Sequence, residues 1–125
     1  NDIEQAVSKY LLKVGLTGVE TQIAGTLPYG HQKLLEVAMS LAAGPELLIL
    51  DEPTQGLAEA EIENLTQLIR EISKSVKVLL IEHNMEVVFK LAEHITVMDN
   101  GSILAEGTPA EIENNHAVQA SYLGN

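Results

Sequence analysis

Apolar positions Ile3, Ala6, Val7, Tyr10, Leu11 and Val14 recur at helical spacing, follow a capping-box pair Asp2 and Gln5, and stop at Gly15. That spacing predicts a helix over residues 2–14. Residues 15–30 hold four glycines and Pro28 and read as an irregular connection. A second helix is predicted from about His31 to Ala43, with Leu34, Leu35, Ala38, Leu41 and Ala42 on one side and Gly44-Pro45 closing it. The run Leu47-Leu48-Ile49-Leu50, bounded by Pro45 and by Asp51-Glu52-Pro53, predicts a short strand covered on both faces. Ile62, Leu65, Leu68, Ile69 and Ile72 mark a third helix, and Val76 to Ile81 a second buried strand. Strand, helix, strand in that order is a parallel crossover.

A helix from Met85 to Ala92, with Phe89 in its core face, comes next. Ile95–Met98 and Ser102–Glu106, joined through Asp99-Asn100-Gly101, predict a β-hairpin, because Asn-Gly accepts the positive φ of a type I′ turn. Thr108, Pro109 and Glu111 supply an N-cap, an N1 proline and an N3 acid for a short helix. An amphipathic stretch from Ala117 to Leu123 ends the chain. The alternation of helices and strands predicts an α/β layered fold. No repeat or linker divides it, so residues 1–125 are expected to form one domain, with residues 44–125 following the first two helices.

Composition narrows the function classes. The 125 residues carry a net charge of -11, with 18 acidic against 7 basic side chains. Without a basic stripe to release counterions, and with only 3% aromatic residues to stack on bases, nucleic acid is not an expected partner. The absence of cysteine removes disulfides, thiolate metal sites and thiol nucleophiles. No apolar run approaches the length of a membrane span, and the first residues lack the basic and apolar pattern of a signal peptide.

Three places can carry chemistry. Asp51 and Glu52 stand at the C-terminal end of a predicted buried strand, the edge where open α/β sheets place ligands. Asp51 can hold Mg²⁺ and Glu52 can polarise a water for attack on a phosphoryl group; equally, Asp51 can cap a turn and Glu52 can be solvated. Leu27-Pro28-Tyr29-Gly30-His31-Gln32 leads into a helix, whose unpaired N–H groups suit an anion, although many helices begin after glycine. His83, within Glu82-His83-Asn84, ends the second strand on the same edge as Asp51 and can donate to a phosphate oxygen or simply hold structure. His94 and His116 have no neighbours at metal-ligand spacing and read as structural or surface residues.

In this order and at these spacings, the motifs make the sequence resemble the nucleotide-binding domain of ATP-binding cassette (ABC) transporters, from its helical subdomain to its C-terminus. Leu27 to Gln32 match the signature motif and Leu47 to Glu52 the Walker B motif. Gln55-Gly56-Leu57-Ala58 match the D-loop and His83 the switch histidine. Tyr29, Ile81-Glu82-His83-Asn84-Met85 and Ser121-Tyr122-Leu123-Gly124 look most like the branched-chain amino acid and urea/amide importers. Residues 1–43 would be the end of the helical subdomain and the signature helix.

The resemblance implies a partial P-loop NTPase fold, a mostly parallel sheet with flanking helices and a C-terminal hairpin, lacking the P-loop strand. It implies a head-to-tail dimer closing on two ATP molecules. Asp51 would serve Mg²⁺, Glu52 would be the general base and His83 would contact the γ-phosphate. Leu27, Pro28, Tyr29, Gly30, His31 and Gln32 would face ATP held by the partner, with Gly56, Leu57 and Ala58 as the D-loop. The domain would lie in the cytoplasm against a membrane permease.

The sequence also departs from the family. No G-x-x-x-x-G-K followed by Ser or Thr occurs in the 125 residues, and Lys33, Lys74 and Lys77 have no Gly-rich loop before them. Pro28 stands where the family usually has serine, removing a hydroxyl and an N–H. Ala58 replaces an acidic or amide residue of the D-loop, and Asn84 follows the histidine where aspartate is common. The expectation is a partial importer ATPase, inactive alone and binding little or no nucleotide without the missing N-terminal half or a second nucleotide-binding domain. A stand-alone interaction or dimerisation protein is the alternative, and an unrelated carboxylate-dependent hydrolase a third reading. In the family the P-loop strand lies between the switch-histidine strand and the C-terminal hairpin, so its absence would leave open edges that invite rearrangement or a swapped homodimer.

Overall fold

The computed structural model describes residues 1–122, and they form two compact units, residues 1–83 and 84–122. The first unit opens with α1 (Asp2–Lys13). Its N-cap is Asn1, whose side chain accepts from the Ile3 N–H, so the predicted cap at Asp2 is displaced by one residue. A short 3₁₀ turn at Ala24–Thr26 leads to α2 (Tyr29–Ala42), which packs on α1. Helix α2 starts two residues before the predicted His31, because Pro28 holds an extended backbone and its carbonyl already accepts the Gln32 N–H. Gly30 therefore lies inside the first turn, not in a loop before it.

Strand β1 (Leu47–Asp51), helix α3 (Glu59–Ile72) and strand β2 (Lys77–Ile81) complete the unit as a parallel crossover. The register pairs Leu47 with Lys77, Ile49 with Leu79 and Asp51 with Ile81. Leu48 and Leu50 are buried, as are Leu65, Ile69 and Ile72 along one stripe of α3 and Val37, Ala38 and Leu41 of α2. The expectation that β1 is covered on both faces is corrected here. Alternate side chains point to opposite faces, and Leu47, Ile49, Leu79 and Ile81 stand about half exposed on one open apolar face. A continuous apolar run reports that both faces avoid water in the folded environment; in these 122 residues only one face is covered.

The second unit contains α4 (Met85–Leu91), β3 (Ile95–Asp99), β4 (Ser102–Gly107), α5 (Pro109–Glu113) and α6 (His116–Ser121). Strands β3 and β4 form an antiparallel hairpin with an irregularity at Val97/Met98. Asn100 at φ 49° and Gly101 at φ 79° make the expected turn. Thr108 caps α5 reciprocally with Glu111, with Pro109 at the start, as the sequence predicts. Ile95, Val97, Ile112 and Val118 form the core, with Phe89 packed against it. Tyr122 Oη donates to the Met98 carbonyl. The predicted contribution of Leu123 to the last helix lies outside the described residues.

Two separate two-stranded sheets result, one parallel and one antiparallel. Among the described residues no helix is long and apolar enough to cross a membrane.

Candidate functional site

The C-terminal ends of β1 and β2 carry the principal site. Asp51 is the last residue of β1 and is exposed; Glu52 begins the following turn, and His83 lies two residues beyond β2. The turn folds back because the Glu52 N–H donates to the Ile81 carbonyl at 2.7 Å, extending the β1–β2 ladder by one bond. Glu52 adopts φ 46°, a left-handed backbone that non-glycine residues seldom take. The geometry brings its carboxylate to His83, with Nδ1 3.1 Å from Oε1. The two side chains are 41% and 65% exposed, so the pair faces outward, where a reactant can reach it.

An ionised carboxylate only accepts, so this contact requires the proton on Nδ1. In the neutral ring Nε2 then carries the lone pair, and it donates only as imidazolium. Glu52 Oε1 is committed to His83, while Oε2 can accept from water.

A second cluster gathers the signature residues and the loop before α3. Pro28 gives α2 no side-chain cap, which leaves the first turn, Tyr29-Gly30-His31, without a side-chain capping acceptor. Leu27 is buried, and Gln32 Nε2 donates back to its carbonyl at 2.9 Å. Tyr29 Oη donates to the Gln55 carbonyl at 3.2 Å, and the Lys33 ammonium lies 5.5 Å from the centre of its ring. Gly56, at φ 78°, is so close to this ring that an added Cβ would sit 3.1 Å from it. At Gly30 a Cβ would fall 1.7 Å from a carboxylate oxygen of Glu61, so a larger residue there requires the Glu61 carboxylate to swing away. The same Glu61 accepts the Ala58 N–H at 3.1 Å. Tyr29 thus ties the start of α2 to the loop before α3, and Glu61 ties that loop to its own helix.

Ala58 is the N-cap of α3 and, with no side-chain oxygen, supplies only half of a capping box. Ala58→Asn is therefore expected to raise stability by about 1 kcal/mol, read as a higher denaturation midpoint at unchanged m-value. An unchanged midpoint would show that the loop cannot present the new oxygen to the helix.

Asp51 borders a cavity of 230 Å³ also lined by Lys33, Glu36, Val37 and Leu65. Among the described residues no three acidic or histidine side chains gather as a metal site. Mg²⁺ is commonly held through one or two carboxylates, with phosphate oxygens and waters completing its shell. Asp51 fits such a role as a lone exposed carboxylate at the strand end.

Sequence reasoning missed Glu82, Thr54 and Glu61. Glu82 continues the inward row Val78, Leu80 of β2 at period two, a signal that could have marked it as turned away from solvent. Its side chain is completely buried.

The chain is also similar to known proteins along most of its length. The ABC transporter family model matches residues 1–55, and the model for branched-chain amino acid ATP-binding cassette transporters matches residues 102–125. The high-affinity branched-chain amino acid transport ATP-binding protein BraF of Pseudomonas aeruginosa is 43% identical over 117 residues, 92% of this chain and 46% of BraF. LivG of Escherichia coli, of the same description, is 40% identical over an equal span. Among solved structures, the ADP conformation of MJ1267, an ATP-binding cassette of an ABC transporter, superposes with a TM-score of 0.87 at 28% identity, covering 100% of this chain and 51% of that one. A nucleotide-free ATP-binding cassette gives 0.85 at 31% identity, covering 98% and 50%. The chain spans about half the length of the curated relatives it matches. On the strength of these matches and the motif order, the chain belongs to the ABC transporter ATP-binding family, carrying the C-terminal half of its nucleotide-binding domain in a form most like the branched-chain amino acid group.

Proposed function

We propose that the chain is part of the ATP-binding subunit of an ABC importer of the branched-chain amino acid or urea/amide type. It works at the cytoplasmic face of a permease and is inactive until a P-loop half is supplied. The observation that carries this reading is the Glu52–His83 contact at the C-terminal edge of a parallel strand pair. Glu52 accepts the proton of the attacking water through Oε2, and His83, held at Nδ1 by Glu52, turns its Nε2 toward a phosphoryl oxygen. Asp51 would hold Mg²⁺, which would neutralise charge developing on the phosphoryl oxygens. The α2 N-terminus around Tyr29 and Gly30, with Gly56, Leu57 and Ala58, faces nucleotide on a second nucleotide-binding domain.

Pro28 and the net charge of -11 both weaken attraction for ATP, and no lysine within a Gly-rich loop offsets them. The 125-residue chain alone is therefore expected to give no ATP turnover above background and little heat on titration with Mg-ATP in calorimetry. Turnover by the chain alone that Glu52→Gln abolishes would overturn this reading.

The open apolar face of Leu47, Ile49, Leu79 and Ile81 favours a second reading, a non-catalytic interaction or dimerisation protein. The two readings part on whether adding a P-loop half restores hydrolysis.

A further inference from the structure

We propose that Glu82 is a positioning residue that holds the Glu52–His83 pair in contact by clamping the turn after β1 through Thr54. The proposal rests on the reading of that pair as hydrolytic. Its test reads the contact itself and not hydrolysis, so the two can fail separately.

Glu82 is a carboxylate whose side chain is wholly removed from solvent, and backbone and hydroxyl donors satisfy it. Oε2 accepts the Thr54 hydroxyl at 2.6 Å and the Thr54 N–H at 3.3 Å, while Oε1 accepts the N–H of His83 at 3.2 Å. The hydroxyl contact has the short length of a bond to a charged acceptor. Thr54 is itself buried, at 4% exposure. A buried carboxylate satisfied in this way resists displacement, since breaking any one bond leaves a polar atom without water to replace it.

The placement explains the neighbouring backbone. Glu52 occupies a left-handed conformation, which persists only where the surroundings over-determine it. On one side its N–H is tied to Ile81. On the other, the chain two residues later is tied through Thr54 to Glu82, the residue between Ile81 and His83. The same Glu82 Oε1 lies 3.8 Å from His83 Nδ1, which stands 3.1 Å from Glu52 Oε1. One carboxylate thus fixes both ends of the pair and favours a proton on Nδ1.

The test is the imidazole ¹⁵N spectrum of His83 in the full 125-residue chain, at a pH where the ring is neutral, for Glu82→Gln, Thr54→Val and Thr54→Ser. Gln matches Glu in shape but turns an amide N–H toward the donor of His83 or of Thr54. Val keeps the shape of Thr without its hydroxyl, and Ser restores the hydroxyl. The ratio of the Nδ1–H to the Nε2–H form is expected to fall about five-fold in Glu82→Gln and Thr54→Val, the factor one ordinary hydrogen bond carries in an equilibrium. Thr54→Ser should keep the ratio of the parent chain. A ratio unchanged in both Glu82→Gln and Thr54→Val, with amide dispersion retained, would overturn the proposal. So would a fall in Glu82→Gln alone, which would make Glu82 a charge beside the ring and not a clamp. Loss of the fold in all three variants would also overturn it, leaving Glu82 a purely structural carboxylate.

Discussion

Glu52→Gln, in a polypeptide that joins this chain to a P-loop half, is expected to lower ATP turnover by about 10²–10⁴-fold, the range a positioned general base contributes. The amide cannot take the proton of an attacking water, yet it matches the carboxylate in size and can still accept from His83 Nδ1 through its oxygen. Binding of Mg-ATP should therefore survive while turnover falls, because the group lost acts on the reacting water and not on the bound nucleotide. Steady-state turnover together with equilibrium binding separates the two quantities. If the variant kept a tenth or more of the parent rate, Glu52 would not be the base, and the outward-facing Glu52–His83 contact would be a structural hydrogen bond.

Leu65→Ala is expected to be the most damaging single truncation among the residues considered, destabilising the first unit by about 3 kcal/mol. Leu65 is 1% exposed on the buried stripe of α3 and lines the cavity beside Asp51. Deleting its branch removes apolar contact and enlarges a space that the surrounding helices and strand cannot close. For a unit of this size the loss corresponds to a fall of roughly 12–24 °C in melting temperature. The paired control is Leu79→Ala, on the open face of β2 at 49% exposure, for which a change of no more than about 0.5 kcal/mol is expected. Equal losses at both positions, measured by thermal and denaturant unfolding, would mean that the open β1–β2 face is covered in solution.

Much of the fold is legible in local chemistry. Leu65, Ile69 and Ile72 follow helical spacing and are the buried stripe of α3. Asn100-Gly101 specify their own turn because both accept positive φ. Thr108, Pro109 and Glu111 are a helix start in three residues. The start of α2 was less legible: Gly30 reads as a loop residue by composition, yet it lies in the first helical turn with the Glu61 carboxylate, far along the chain, against it. The one-sided burial of β1 was illegible for the same kind of reason, since an apolar run carries no record of what lies over each face. At the site, Asp51, Glu52 and His83 could be named from the strand ends they follow. The inward side of Glu82 can be read from period two along β2, but its partner Thr54, 28 residues earlier, cannot. Local periodicity reports the direction in which a side chain points, and tertiary contact decides what it meets there.

The left-handed backbone of Glu52 has a consequence for how such a chain ages under mutation. Glycine takes φ 46° without steric penalty, so a glycine at this position would relieve about 1 kcal/mol of strain while removing the carboxylate. On the proposed role of Glu52 as base, stability and chemistry are set against each other at this one residue. A lineage released from hydrolysis has a single stabilising substitution open to it here, and drift would favour that step. This chain keeps the strained acid.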